Sequence, residues 1–114
     1  MTSVAYKILS SNDWRRMVAE GRYQGSVVDL ADGYIHMSTA DQLAETARRH
    51  YAGQADLMLL TIDLALLDEA LVWEPSRGGA LFPHLYAPLP VAAVTASRPF
   101  AVAEDGAMRF EDAA

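Results

Sequence analysis

Polar and apolar residues alternate in some segments of this chain and recur every three to four positions in others. "SVAYKIL" mixes β-branched, aromatic and aliphatic residues in partial alternation, which predicts a first strand. Ser11 and Asn12 follow as candidate N-caps, and Trp14, Met17 and Val18 fall on one face of a short helix that Gly21 would end. "RYQGSVVDLADG" reads as a connection with a short extended piece at Val27 and Val28. "YIHMS" reads as a second strand. Thr39 with Gln42 forms a capping-box pattern, Leu43, Ala47 and Tyr51 repeat as the buried face of a second helix, and Gly53 is its expected stop.

The second half is richer in strands. "DLMLLTIDL" is the most apolar segment and predicts a central strand buried on both faces. "EALVWEP" predicts a strand stopped by Pro75, "SRGG" a flexible loop, and "LFPHLYAPLP" an aromatic stretch stiffened by prolines. "VAAVTASRPFAV" predicts a strand that Pro99 pushes to an edge or bulge, with "DGAMRFED" closing as a small hairpin arm. Two early helices and a strand-rich second half predict an α+β fold of packed, curved sheets in a single domain spanning residues 1–114.

Composition narrows the class. With 114 residues and 52% hydrophobic content the chain can bury a core of its own. Fifteen acids against nine bases leave a net charge of −6, which argues against a nucleic-acid surface. There is no cysteine, so disulfides, thiolate metal sites and thiol catalysis are excluded. The N-terminus lacks the basic and apolar regions of a signal peptide, and the apolar run at Leu57 to Leu60 is too short to span a bilayer. The expected setting is cytoplasmic and away from membranes.

The candidate chemistry centres on two of the three histidines. His50 lies at a helix C-terminus beside Arg48 and Arg49, where positive charge complements the helix dipole. His36 shares a strand face with Tyr34 and Ser38, while Ile35 and Met37 take the other face, and a helix start follows at Thr39. His84 is flanked at two residues' distance by Phe82 and Tyr86, a setting that suits a planar ring ligand. His36 and His84 each read equally as a core residue satisfied by its surroundings. Arg77 in "SRGG" is a candidate anion contact, or part of a solvated turn. Glu74 reads as a rim carboxylate. No metal is expected, because the histidines lack close ligand spacing. No G-x-S-x-G elbow or phosphate-binding P-loop is present.

Gly33-Tyr34-Ile35-His36 together with Phe82-Pro83-His84-Leu85-Tyr86, and the segments "TIDL" and "LVWEP", resemble the small bacterial proteins grouped as domain of unknown function 952. The resemblance runs from Tyr6 to about Phe100, with Ala87 standing where relatives often carry glycine. That group has been placed with the ADP-ribosyltransferase-like fold. The resemblance therefore implies two packed curved β-sheets with two helices in the N-terminal half. It also implies three motif positions, which fall here on Lys7, His36 and His84. The third is commonly a glutamate that steadies an oxocarbenium-like cation, and its replacement by histidine points away from ordinary protein ADP-ribosylation.

The function so implied is binding of NAD or an ADP-ribose-type nucleotide, with a divergent ADP-ribosyl or phosphoryl transferase as the activity. His36 and His84 would be the catalytic positions. Lys7, Tyr34, Ser38, Thr39, Tyr86 and Arg77 would surround the ligand. RNA 2′-phosphotransferases share the fold and use basic motif residues, but the acidity of this chain speaks against an RNA partner. The alternative is a non-enzymatic small-ligand or protein-binding module on the same fold.

Overall fold

The computed structural model describes residues 3–110, apart from the side chain of Arg77. Strand β1 (Val4–Ser10) leads into helix α1 (Ser11–Glu20), followed by β2 (Arg22–Tyr23), α2 (Val27–Asp32), β3 (Ile35–His36) and α3 (Ala40–His50). The remainder is β4 (Leu57–Asp63), β5 (Leu71–Pro75), β6 (Leu81–Leu85), β7 (Leu89–Pro90), β8 (Val94–Val102) and β9 (Met108–Phe110). The mixed α+β class is as expected from the pattern. Among the described residues there are three α-helices rather than two, and a two-stranded ladder accompanies the larger sheets.

The additional helix is α2, at the place expected to be extended. Ser26 caps it: its hydroxyl accepts from the Asp29 N–H at 3.1 Å, and the Asp29 carboxylate accepts from the Ser26 N–H at 2.9 Å. This reciprocal cap outweighs the strand preference of two valines. Gly33 ends the helix in the left-handed region, φ 88°, and turns the chain directly into β3.

Other boundaries move by a residue or two. Helix α1 is capped by Ser10, one residue before the expected cap, and Asp13 N–H donates to its hydroxyl. Met17 is buried and Trp14 packs on the core, but Val18 stays 54% exposed and leaves the expected apolar face. Helix α3 keeps its capping box, with Thr39 N–H donating to Gln42 Oε1 at 3.0 Å. It is capped at the far end by Tyr51, and Gly53 lies two residues beyond.

The main sheet has the order β1-β4-β8-β9, all antiparallel. Its central strand β4 is apolar on both faces because two cores meet it. Met58, Leu60 and Ile62 join a cluster with Met17, Ile35 and Leu85, whereas Leu57 and Leu59 join Ala47 of α3 with Phe100 and Val102. Burial on both sides explains why this segment shows no alternation. The bulge in β8 sits at Thr95, between the Thr61–Ala96 and Ile62–Val94 pairs, and not at Pro99. Pro99 pairs with Met58 just before the stretch that β9 covers. The hairpin arm is β9 itself; residues 111 and 112 of that segment lie outside the described ones.

A second sheet has the order β3-β6-β5, and β2 pairs with β7. Ile35 and Leu85 of the second sheet pack with Leu60 and Ile62 of the first, and Tyr23 and Leu89 of the small ladder close the same core. Among the described residues no helix is long and apolar enough to cross a membrane.

Candidate functional site: a histidine pair in a carboxylate-lined cleft

An isolated bridge joins β1 to the segment just after β3. Ser38 N–H donates to the Tyr6 carbonyl at 2.9 Å, and Tyr6 N–H returns the bond to Ser38 at 2.8 Å. Beside this bridge opens a cleft of about 730 Å³, a size that suits a small organic ligand. Lys7 of β1, Tyr34 and His36 at β3, and His84 of β6 all line it. His36 and His84 are direct cross-strand partners. Their rings lie 5.8 Å apart, edge to face. The Tyr34 ring stacks on His84 at 4.0 Å and lies 5.3 Å from the ring of Tyr86. The alternation in "YIHMS" is thus realised: Ile35 and Met37 enter the core, and Tyr34, His36 and Ser38 face the cleft.

Lys7, Asp29, Asp32 and His36 in this wall are all partnered. Lys7, only 5% exposed, donates to both oxygens of Asp29 at 3.2 and 2.9 Å and to the His36 carbonyl at 2.9 Å. Asp29 is equally buried and also accepts from the His36 backbone N–H and from His36 Nδ1, the latter at 2.6 Å. With the Ser26 N–H, five hydrogen-bond contacts converge on one carboxylate, which saturates its acceptor capacity. Burial alone would raise the Asp29 pKa. The His36 hydrogen bond, the Lys7 charge and the backbone donors outweigh it and hold the carboxyl well below the usual range. Burial pulls the Lys7 ammonium below its ordinary value, against the opposing pull of Asp29.

On the open side, His36 Nε2 lies 2.8 Å from Asp32 Oδ2. A carboxylate thus stands on each ring nitrogen of His36, one buried and one exposed. His84 is 3% exposed, and its Nδ1 lies 2.7 Å from Glu74 Oε1. The Tyr86 hydroxyl donates to the same oxygen at 2.7 Å. That bond and the one from His84 lower the Glu74 pKa, and the bond to Glu74, with some desolvation, pushes the Tyr86 phenol up to about 12.

The candidate residues therefore divide. Lys7, Tyr34, His36, Ser38 and His84 line one cleft; Tyr86 does not line it, and meets the Tyr34 ring and Glu74 instead. Ser38 is 4% exposed and its hydroxyl is engaged with Thr46 at 2.9 Å. Thr39 caps α3. Arg77 lies in a turn, Arg77–Gly79, and its side chain is outside those described. Among the described residues no three histidine, aspartate or glutamate side chains are arranged to hold a metal ion.

Three acidic partners escaped sequence reasoning. Asp29 and Asp32 sat in a stretch read as a connection, although Ser26-Val27-Val28-Asp29 has capping-box spacing and Asp32 precedes His36 by four residues. Glu74 was read as a rim carboxylate, and it is the anchor of His84. His50, read only as a helix-end charge, also reaches the cleft.

Comparison with known proteins finds solved structures similar to this chain over most of its length. The X-ray structure of protein CC0527 from Caulobacter crescentus is 48% identical, with 94% of each chain covered and a TM-score of 0.89. A double-mutant form of that protein gives 47% identity over the same coverage and the same TM-score. Its solution NMR structure is 51% identical, covering 93% of this chain and 90% of that one, with a TM-score of 0.80. No curated protein matches the chain. The sequence profile described as Protein of unknown function (DUF952) matches residues 8–97, and the chain belongs to that family.

Proposed function

We propose that the cleft binds a nucleotide of the NAD or ADP-ribose class and acts on its ribosyl centre as a divergent, cytoplasmic transferase. The observation that carries this reading is the meeting of Lys7, His36 and His84. They come from three strands and two sheets, and they line one cleft with Tyr34 between the two imidazoles. These are the three positions at which the resemblance expects the motif residues.

The roles differ from a simple carry-over. Lys7 is spent on Asp29 and on the His36 carbonyl, so it orients β3 and leaves the phosphates to other groups. His36 is the ribose contact. Its Asp32 partner is 47% exposed, and such an exposed pair contributes little, so a ribose hydroxyl can take its place on Nε2. Tyr34 and Tyr86 offer ring platforms. Asp32 in the cleft wall and Glu74 bonded to His84 bring negative charge, which favours a cationic ribosyl centre.

The second reading is a binding module without catalysis. It is favoured by one observation: Lys7 and both ring nitrogens of His36 already have internal partners. A ¹H–¹⁵N titration with NAD and ADP-ribose, followed by an assay for released nicotinamide, separates the readings. Saturable shifts at Lys7, His36 and His84 with nicotinamide release support the transferase. Shifts without release support the module. No shifts up to millimolar ligand would sink the nucleotide reading altogether.

A further inference from the structure

The resemblance leaves position 84 without the carboxylate that would steady a ribosyl cation. The neighbouring strand brings one to the same place. Glu74 lies on β5, opposite Phe82 of β6 and so diagonal to His84, and Glu74 Oε1 stands 2.7 Å from His84 Nδ1. We propose that Glu74 and His84 act as one unit, with Glu74 as the positioning residue that sets the His84 tautomer and supplies the site's missing negative charge.

Three features carry this inference. A carboxylate only accepts, so the bond obliges Nδ1 to carry the hydrogen. The neutral ring then carries its lone pair on Nε2, and His84 lines the cleft. The Tyr34 ring, stacked at 4.0 Å, holds the imidazole plane, and the Tyr86 hydroxyl fixes Glu74 from the other side. A histidine held this way by a carboxylate is the arrangement that general-base catalysis needs.

Charge completes the argument. A neutral imidazole bonded to an ionised carboxylate carries a net charge of about −1, the same as a lone glutamate. The objection that a histidine would repel the developing cation therefore falls away. The inference deepens the proposed transferase by giving the reaction its base. The acceptor hydroxyl passes its proton to Nε2, and its oxygen lone pair forms the new bond to the ribosyl carbon. The departing ring takes the electrons of the C–N bond that breaks. Glu74 then stabilises the imidazolium.

The test begins without any ligand. Imidazole ¹⁵N spectra of His84 should show Nδ1–H and a bare Nε2 in the neutral form. Glu74→Ala should shift the ring toward the Nε2–H tautomer, because the acceptor is gone. Glu74→Gln should keep the Nδ1–H tautomer through its amide oxygen but lose the charge. A wild-type ring in the Nε2–H form, or a ring indifferent to Glu74→Ala, would overturn the unit. With NAD as the probe, Glu74→Gln should lower nicotinamide release about 100-fold with KM little changed. Release equal to wild type would refute the charge role. If wild type itself releases none, the transferase reading fails, while the ¹⁵N result still decides whether Glu74 positions His84.

Discussion

Lys7 Nζ lies 2.9 Å from Asp29 Oδ2, with the two side chains 5% and 2% exposed. This pair ties β1 to the short helix α2 and, through Asp29, fixes the ring of His36. Asp29→Ala would leave a buried ammonium without its counter-charge, and the expected loss is about 3–5 kcal/mol of stability by urea denaturation. Lys7→Met should cost less than Asp29→Ala, because Asp29 keeps three other donors. Equal stability of wild type and Asp29→Ala would show that the pair is not what holds α2.

The same carboxylate predicts an acid limb in the stability profile. Its folded pKa is held below the unfolded value, so ionised Asp29 stabilises the fold above the unfolded carboxylate range. That contribution should be lost as pH falls below about 4 toward the depressed folded value. Thermal melts of wild type should show the decline, and Asp29→Asn should flatten it.

His36 separates ligand binding from folding. The ring is 35% exposed at the cleft mouth, and its backbone N–H remains to bond Asp29 when the ring is removed. His36→Ala should keep the fold and weaken nucleotide binding about tenfold or more, the value of one or two hydrogen bonds to a charged or polar partner. Asp32→Ala should bind no worse than wild type, since it frees Nε2. Collapse of His36→Ala on heating, with no folded protein left to titrate, would assign the ring to the core.

Tyr86 reports on Glu74. Its phenol is pushed up to about 12, chiefly by the hydrogen bond to Glu74. Following the ring by ¹³C NMR against pH should place its ionisation well above the usual value of about 10 for tyrosine. Glu74→Ala should bring it back down. An ordinary titration in wild type would mean that the bond does not persist in solution.

Gly33 sets the entry into β3. Its φ of 88° suits glycine, and nothing lies within 4 Å of where a side chain would start. Gly33→Ala should therefore cost only the conformational penalty, about 1–2 kcal/mol. A larger loss would imply that strain passes into Tyr34 and His36.

Much of the architecture was legible one segment at a time. Periodicity located β1, α1, α3, the doubly buried β4 and the outward face of "YIHMS", because each depends on residues a few positions apart. The family resemblance rested on the two histidine segments, and they are the ones that pair. Local rules went wrong where two of them competed: Val27 and Val28 suggested a strand, and the Ser26–Asp29 cap decided for a helix.

The composition of the site belonged to the tertiary structure. Lys7 has the same chemistry in the sequence whether it meets a phosphate or Asp29, 22 residues away, and only folding chose the latter. Glu74 looked peripheral until the β5–β6 pairing brought its carboxylate diagonally onto His84. A residue's type and spacing determine what it can bond. Its actual partner depends on which backbone segments meet, and burial then makes an unpaired charge too costly to keep.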